Sequence, residues 1–422
     1  MSFVCQACGG SDLKPFYRVP RVPAHSCLMF DTRREALAFP RGELDIVFCR
    51  GCGFIQNRAF DASLTRYSAA YEETQAYSPR FLEFLRELCD DQIARFGLGP
   101  GRTALEIGCG KGEFLVMLCE RSGCRGIGLD PSYRPERTRS EAASRIEFIR
   151  DFYGPRYAHL QADYICCRHT LEHIGPVREF MRLIRSTIGD RREVAVSFEL
   201  PDTERVLEEG AFWDVYYEHC SYFTRGSLAR LFRATGFELL DLYKVYDGQY
   251  LIIEARAAAG PTEAAFAAED DLERIEALVE RFADRVARYT EMLAREVCAH
   301  KQAGGRLAIW GSGSKGVSFI SALGLGEELD AVVDINPHKH GKFLAGSGHE
   351  IVGPGALQQI RPELVYVMNP IYTEEIRRIL EELGLRPRLV PLAGLDDARD
   401  LPAATAIPRA AATGCDAGTL RT

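Results

Sequence analysis

The chain has no surplus of basic residues: 52 Lys and Arg stand interspersed with 60 Asp and Glu, for a net charge of −8. A nucleic-acid binder would normally present a basic face, so that class is set aside. Nor is there an apolar run approaching the roughly 20 residues a membrane span requires. Met1-Ser2-Phe3-Val4-Cys5 also lacks the basic stretch and following apolar stretch of a secretory leader. These absences predict a cytoplasmic protein with neither nucleic acid nor a membrane as partner. Thiols stay reduced there, so the 14 cysteines are read as metal ligands where their spacing suits and as small core hydrophobes elsewhere. At 422 residues the chain exceeds one ordinary core, and two or three domains are expected.

What is present begins with two knuckles, Cys5-Gln6-Ala7-Cys8-Gly9 and Cys49-Arg50-Gly51-Cys52-Gly53. Four thiolates at Cys5, Cys8, Cys49 and Cys52 suit tetrahedral zinc, and a full set of protein ligands leaves no open position for chemistry, so a structural site is expected. From about Asp61 to Phe96 the pattern turns helical, with Tyr67, Tyr71 and Tyr77 placed where a substrate wall would stand.

Thr103 to Phe114, T-A-L-E-I-G-C-G-K-G-E-F, then reads as a buried strand, a tight glycine turn and a helix. Glycines let the backbone approach a ligand and adopt positive φ. A second strand ends at Asp130, about 20 residues on, placed to take two ribose hydroxyls, and a third, Ile146 to Asp151, ends in another carboxylate. This is the arrangement by which class I methyltransferases hold S-adenosylmethionine (SAM). A fourth strand ends near Arg168, followed by His169 and His173, four apart and sharing a face if that segment is helical. Glu193 to Pro201 is a fifth strand, and Phe237 to Ala257 a terminal antiparallel hairpin.

Phe212 to Thr224 embeds Glu218 and His219 among aromatics, where partial desolvation tunes groups for proton transfer. After a linker near Ala258 to Pro261, a long amphipathic helix carries Leu272, Ile275, Val279, Phe282, Val286, Tyr289, Leu293 and Val297 on one stripe. A second strand-to-glycine turn follows at Arg306 to Gly316, with Asp334 closing a later strand. That spacing fits a dinucleotide site, and it equally suits a phosphate-bearing substrate, with Lys315 in the turn and basic groups beside Asp334.

With these segments together the chain resembles the sugar C-methyltransferase family, SAM enzymes that methylate carbon of a nucleotide-linked deoxy-keto-sugar. The motifs that carry the resemblance are the two C-x-x-C-G knuckles, E-I-G-C-G-K-G, Y-Y-E-H-C-S-Y-F-T, G-S-G-S-K-G and V-V-D-I-N-P-H-K-H-G-K. It implies an α/β fold: a zinc-binding module over 1–65, a doubly wound class I methyltransferase domain over 66–257 and a connecting helix over 258–304. A Rossmann-like substrate-binding lobe over 305–400 and a disordered tail over 401–422 complete it. The implied cofactor set is Glu106, Gly108, Gly110, Phe114, Asp130, Pro131, Asp151, Phe152 and Arg168. His219 is the implied base, with Glu218 orienting or tuning it and Tyr216 beside it, His173 nearby, and an active-site tyrosine at either Tyr71 or Tyr77. Tyr222, Lys315, Asn336 and Lys339 are expected to touch substrate. Competing readings are an O- or N-methyltransferase on a related acceptor, an NAD-dependent oxidoreductase using the Gly311 loop, and a non-catalytic nucleotide-sugar binding module. The oligomeric state stays open.

Overall fold

The computed structural model describes residues 3–65, 67–260 and 265–394. The sequence segment expected to form a tail, 401–422, lies outside the described residues, as does Pro261 of the expected linker. The framework is a seven-stranded sheet in which Thr103–Ile107 lies between Arg125–Leu129 and Tyr164–Arg168. Ile146–Ile149 closes one edge, and Ala195–Pro201 followed by the hairpin Phe237–Val245 and Tyr250–Ala257 closes the other. Six strands run one way and only Tyr250–Ala257 is reversed. The carboxyl ends of the parallel strands therefore share one edge, where open α/β sheets bind ligands. This strand order, with its reversed penultimate strand, is that of a class I methyltransferase.

An amino-terminal antiparallel sheet joins Leu13–Pro23, Arg41–Cys49 and Ile55–Asn57, and its fourth strand is Ser221–Tyr222, drawn from the far-off loop that carries His219. A third, all-parallel sheet is centred on Leu307–Trp310, flanked by Ala331–Val333 and Leu364–Val367. The helix Leu272–Gln302 buries its apolar stripe in a core shared by the amino-terminal and third sheets. Phe282 meets Phe16 and Tyr17 edge to face, with ring centroids 5.9 and 5.2 Å away. Phe282→Ala is expected to cost about 3–5 kcal/mol, read as a lower denaturant midpoint.

The helix expected from about Asp61 begins only at Pro79 and runs to Phe96. Ser78 caps it, its hydroxyl accepting from the Phe81 amide, and Pro79 occupies the first turn. Tyr67, Tyr71 and Tyr77 lie ahead of it on an irregular strap whose backbone bonds laterally instead: Met29 N donates to Ala70 O and Glu72 N to Cys27 O. Among the described residues no helix is long and apolar enough to cross a membrane.

Candidate active site

A cavity of about 520 Å³ lies between the carboxyl edge of the seven-stranded sheet and the glycine turn of the third sheet, and the strap walls it. All nine residues expected to hold the cofactor line it. Gly108 and Gly110 adopt φ of +73° and +55°. A Cβ on Gly108 would stand 2.0 Å from Thr170 Oγ1, and one on Gly110 2.7 Å from Glu73 Oε1. Gly108→Ala is thus expected to weaken S-adenosylhomocysteine (SAH) binding tenfold or more, since left-handed strain of about 1–2 kcal/mol adds to the clash; calorimetry reads it.

Asp130 accepts from the Gly110 amide at 2.9 Å and from Ser132 N and Oγ at 2.6 Å. Asp151 accepts from Tyr157 and from the Phe152 amide, while the Phe152 ring stands exposed at the mouth. Arg168 is bound twice to Glu199, at 2.9 and 3.1 Å, with its guanidinium 4.5 Å over the Phe114 ring. Glu106 is buried with Oε2 unpartnered. Burial raises its carboxyl to about 8 although Arg168 opposes the shift. Pre-formed donors, glycines that admit close approach and an unsatisfied buried oxygen together fit a polar, cationic nucleoside such as SAM.

Across the cavity, His219 Nε2 lies 2.7 Å from the Tyr216 hydroxyl. Burial, reinforced by His173, His169 and Lys315, pushes His219 well below its ordinary value, so the ring is neutral. The His173 and His219 rings meet at 4.8 Å. His173 Nδ1 is 3.0 Å from the Glu218 carbonyl and 2.9 Å from the Tyr67 hydroxyl. A carbonyl only accepts, so the Nδ1 proton belongs to His173 and Tyr67 keeps its own hydrogen free to donate.

The tyrosine bonded to His173 is Tyr67. Tyr71 and Tyr77 line the same cavity, Tyr71 packed on His25 and Tyr77 at the mouth near Arg137 and His338. Three other expectations change here. Glu218 does not orient His219 through its side chain, because its carboxylate is taken by His25 and Ser26. Tyr222 stands behind the wall, donating to the Tyr216 carbonyl from the amino-terminal sheet. His169 and His173 share no helix face, since His169 takes φ +46° and turns to Glu199 and Tyr250. Burial lowers the His169 value, but Glu172 and Glu199 overcome it and raise it to about 9.

Lys315, Asn336 and Lys339 do line the cavity. Lys315 pairs with Asp214, Asn336 donates to Glu72 at 3.0 Å, and Lys339 reaches Asp334 at 3.1 Å. Asp334 also accepts from Ser312 Oγ at 2.5 Å.

At the amino terminus, Cys5 and Cys52 sulfurs lie 3.6 Å apart, as do those of Cys8 and Cys49. All four lie within 4.8 Å of one another. Tetrahedral zinc with Zn–S near 2.3 Å separates its sulfurs by about 3.8 Å. Amides of Cys8 and Gly10 point at the Cys5 and Cys8 sulfurs, so the donor set fits zinc.

Comparison with known proteins agrees with this geometry. Residues 81–242 match the methyltransferase domain family, and residues 254–386 match the C-methyltransferase C-terminal domain. The chain is 27% identical over 394 residues to C-methyltransferase NovU of Streptomyces niveus, covering 88% of this chain and 90% of that protein. The chain thus carries a methyltransferase domain followed by a C-methyltransferase C-terminal domain. It is a SAM-dependent methyltransferase. Among solved structures, the Burkholderia thailandensis 1,6-didemethyltoxoflavin-N1-methyltransferase, with SAH bound, is 20% identical over 41% of this chain and 78% of its own, at a TM-score of 0.32. The mitomycin 7-O-methyltransferase MmcR is 17% identical over 42% and 54%, at 0.33.

Sequence reading set Tyr67 on a substrate wall with Tyr71 and Tyr77, but gave no role to Glu73, which sits above the Gly110 turn, or to Arg205, which bonds Asp214 beside Lys315. Position relative to a helix register gave no signal for Glu73, because the strap is not helical, whereas Arg205 lies in the short helix Thr203–Glu209.

Proposed function

We propose that this C-methyltransferase methylates a ring carbon of a nucleotide-linked deoxy-keto-sugar, with His219 removing the proton beside the ketone. The observation that carries this reading is the neutral, buried His219 within a cluster of hydroxyl and imidazole groups, on a cavity wall that spans both glycine turns. A ring carbon becomes nucleophilic only after it loses a proton, and a base needs its lone pair free at neutral pH. His219 Nε2 takes that proton as the Tyr216 hydroxyl turns away from it, and the C–H electron pair moves into the ketone to give an enolate. The Tyr67 hydroxyl, its oxygen held by His173, donates to the enolate oxygen. The Gly108 to Gly110 turn, Asp130 and Asp151 would hold SAM, which would supply an electrophilic methyl group; as the enolate carbon takes it, the methyl–sulfur bond would break, leaving SAH and restoring the ketone.

In this reading the third sheet holds the nucleotide end through Lys315, Asn336 and Lys339, and the four cysteines hold a structural zinc. The test is exchange of the α-hydrogen of such a sugar for deuterium, with SAH in place of SAM. Exchange without methylation is expected; its absence beside methylation on oxygen or nitrogen would sink the proposal.

A further inference from the structure

We propose that His25, a residue of the amino-terminal module outside the cavity lining, is a positioning residue for the base, acting through Glu218. The inference rests on the reading of His219 as base and adds to it the machinery that holds it. His25 is fully buried, Glu218 almost so, and the two are joined by a 2.7 Å bond from His25 Nδ1 to Glu218 Oε1. The other carboxylate oxygen accepts from the Ser26 amide at 2.9 Å and from the Ser26 hydroxyl. A buried carboxylate costs several kcal/mol unless its lone pairs are satisfied, and these three donors come from two consecutive residues of the module. They hold Glu218 below the ordinary carboxylate range against the upward push of burial.

What Glu218 then does is geometric. Its carbonyl accepts from His173, which fixes the tautomer that leaves Tyr67 free to donate, and the next residue in the chain is His219. The loop is pinned again two residues on, where Ser221–Tyr222 joins the module's sheet. His25 itself is covered by the rings of Tyr67 and Tyr71, at 5.1 and 5.3 Å, so it touches no substrate. Ser26 Oγ also reaches Ser314 Oγ at 2.8 Å, in the glycine turn of the third sheet. Residues 25 and 26 thus sit where base, enolate donor and the turn proposed for the nucleotide meet.

The test compares His25→Leu, which removes the donor, with His25→Asn, whose side-chain amide keeps an N–H near the Nδ1 position. His25→Leu is expected to lower both kcat and the deuterium-exchange rate about 10²-fold, the cost of misplacing a reacting group by about 1 Å, with KM and SAH affinity within threefold. His25→Asn is expected to restore most of the rate. Without substrate, the imidazole resonances of His173 and His219 are expected to shift in His25→Leu and return in His25→Asn. Wild-type exchange serves as the control: its absence speaks against the base assignment, whereas full exchange in His25→Leu, or unchanged imidazole resonances, overturns the role of His25. A general loss of stability would lower SAH affinity along with rate and would likewise overturn it.

Discussion

His219→Gln is expected to reduce both methyl transfer and α-hydrogen exchange by about 10²–10⁴-fold, the range over which a positioned base contributes, while SAH binds within threefold of wild type. Glutamine approximates the imidazole in length and keeps a polar group for the Tyr216 hydroxyl, so the loss reports removal of the basic nitrogen and not a hole in the wall. The cofactor turn is separate: Gly108 and Gly110 belong to the loop after Thr103–Ile107, whereas His219 follows the strand-to-helix region beyond Ala195–Pro201. Tyr216→Phe should cost less, because the base survives, and should raise the basicity of His219 no further than burial permits. Exchange measured in deuterated buffer with SAH isolates the proton step, and single-turnover methylation measures the whole. If exchange persisted at the wild-type rate in His219→Gln, the proton would have to leave through another group, and Tyr67 with His173 would be next to examine.

What was legible in the sequence was local. Gly108, Gly110 and Asp130 announce themselves because a strand, a turn and a second strand follow within a few dozen residues, each with its own periodicity. The cysteine knuckles are legible for the same reason: each pair is fixed by a spacing of three, and only the joining of the pairs is long-range. The stretch that carries the proposed base could be singled out, but its surroundings could not. Glu218 stands next to His219 in sequence, and adjacency suggested that one orients the other. In an irregular loop neighbouring side chains diverge, and the carboxylate turned to a histidine 193 positions away. Tyr67, Tyr71 and Tyr77 could be placed together on a substrate wall, but that Tyr67 meets His173 depends on a strap whose backbone bonds to Cys27 and Met29. His169 escaped its expected face through a single left-handed residue that directed it to Glu199. In each case a tertiary contact of long sequence separation outweighed a local pattern.

On the proposal that the four cysteines hold zinc, stripping the metal, or substituting Cys49→Ala, is expected to abolish exchange and methyl transfer while sparing cofactor binding. Structural zinc contributes about 10–16 kcal/mol of apparent folding free energy at neutral pH, comparable with or above the 5–15 kcal/mol that typically stabilises a whole domain. Cys5, Cys49 and Cys52 lie in a buried core, so loss of the metal would leave their sulfurs there without the charge that balances them. Collapse of the module would reach the base by two routes. The strand pairing of Ile55 and Gln56 with Tyr222 and Ser221 would be lost, and His25 and Ser26 would no longer hold Glu218. The knuckles are themselves docked on the methyltransferase sheet's helices, with Arg178 Nε donating to Ala7 O at 2.7 Å and Arg230 to Cys52 O at 3.0 Å. Those contacts lie on the face away from the glycine turn, whose own core of Phe114, Leu115 and Leu118 is independent of them. Elemental analysis, SAH calorimetry and exchange on the same sample separate the possibilities. Metal loss with intact SAH binding and no exchange is expected, and a metal-free protein that still exchanged would mean that the four cysteines stabilise nothing the base depends on.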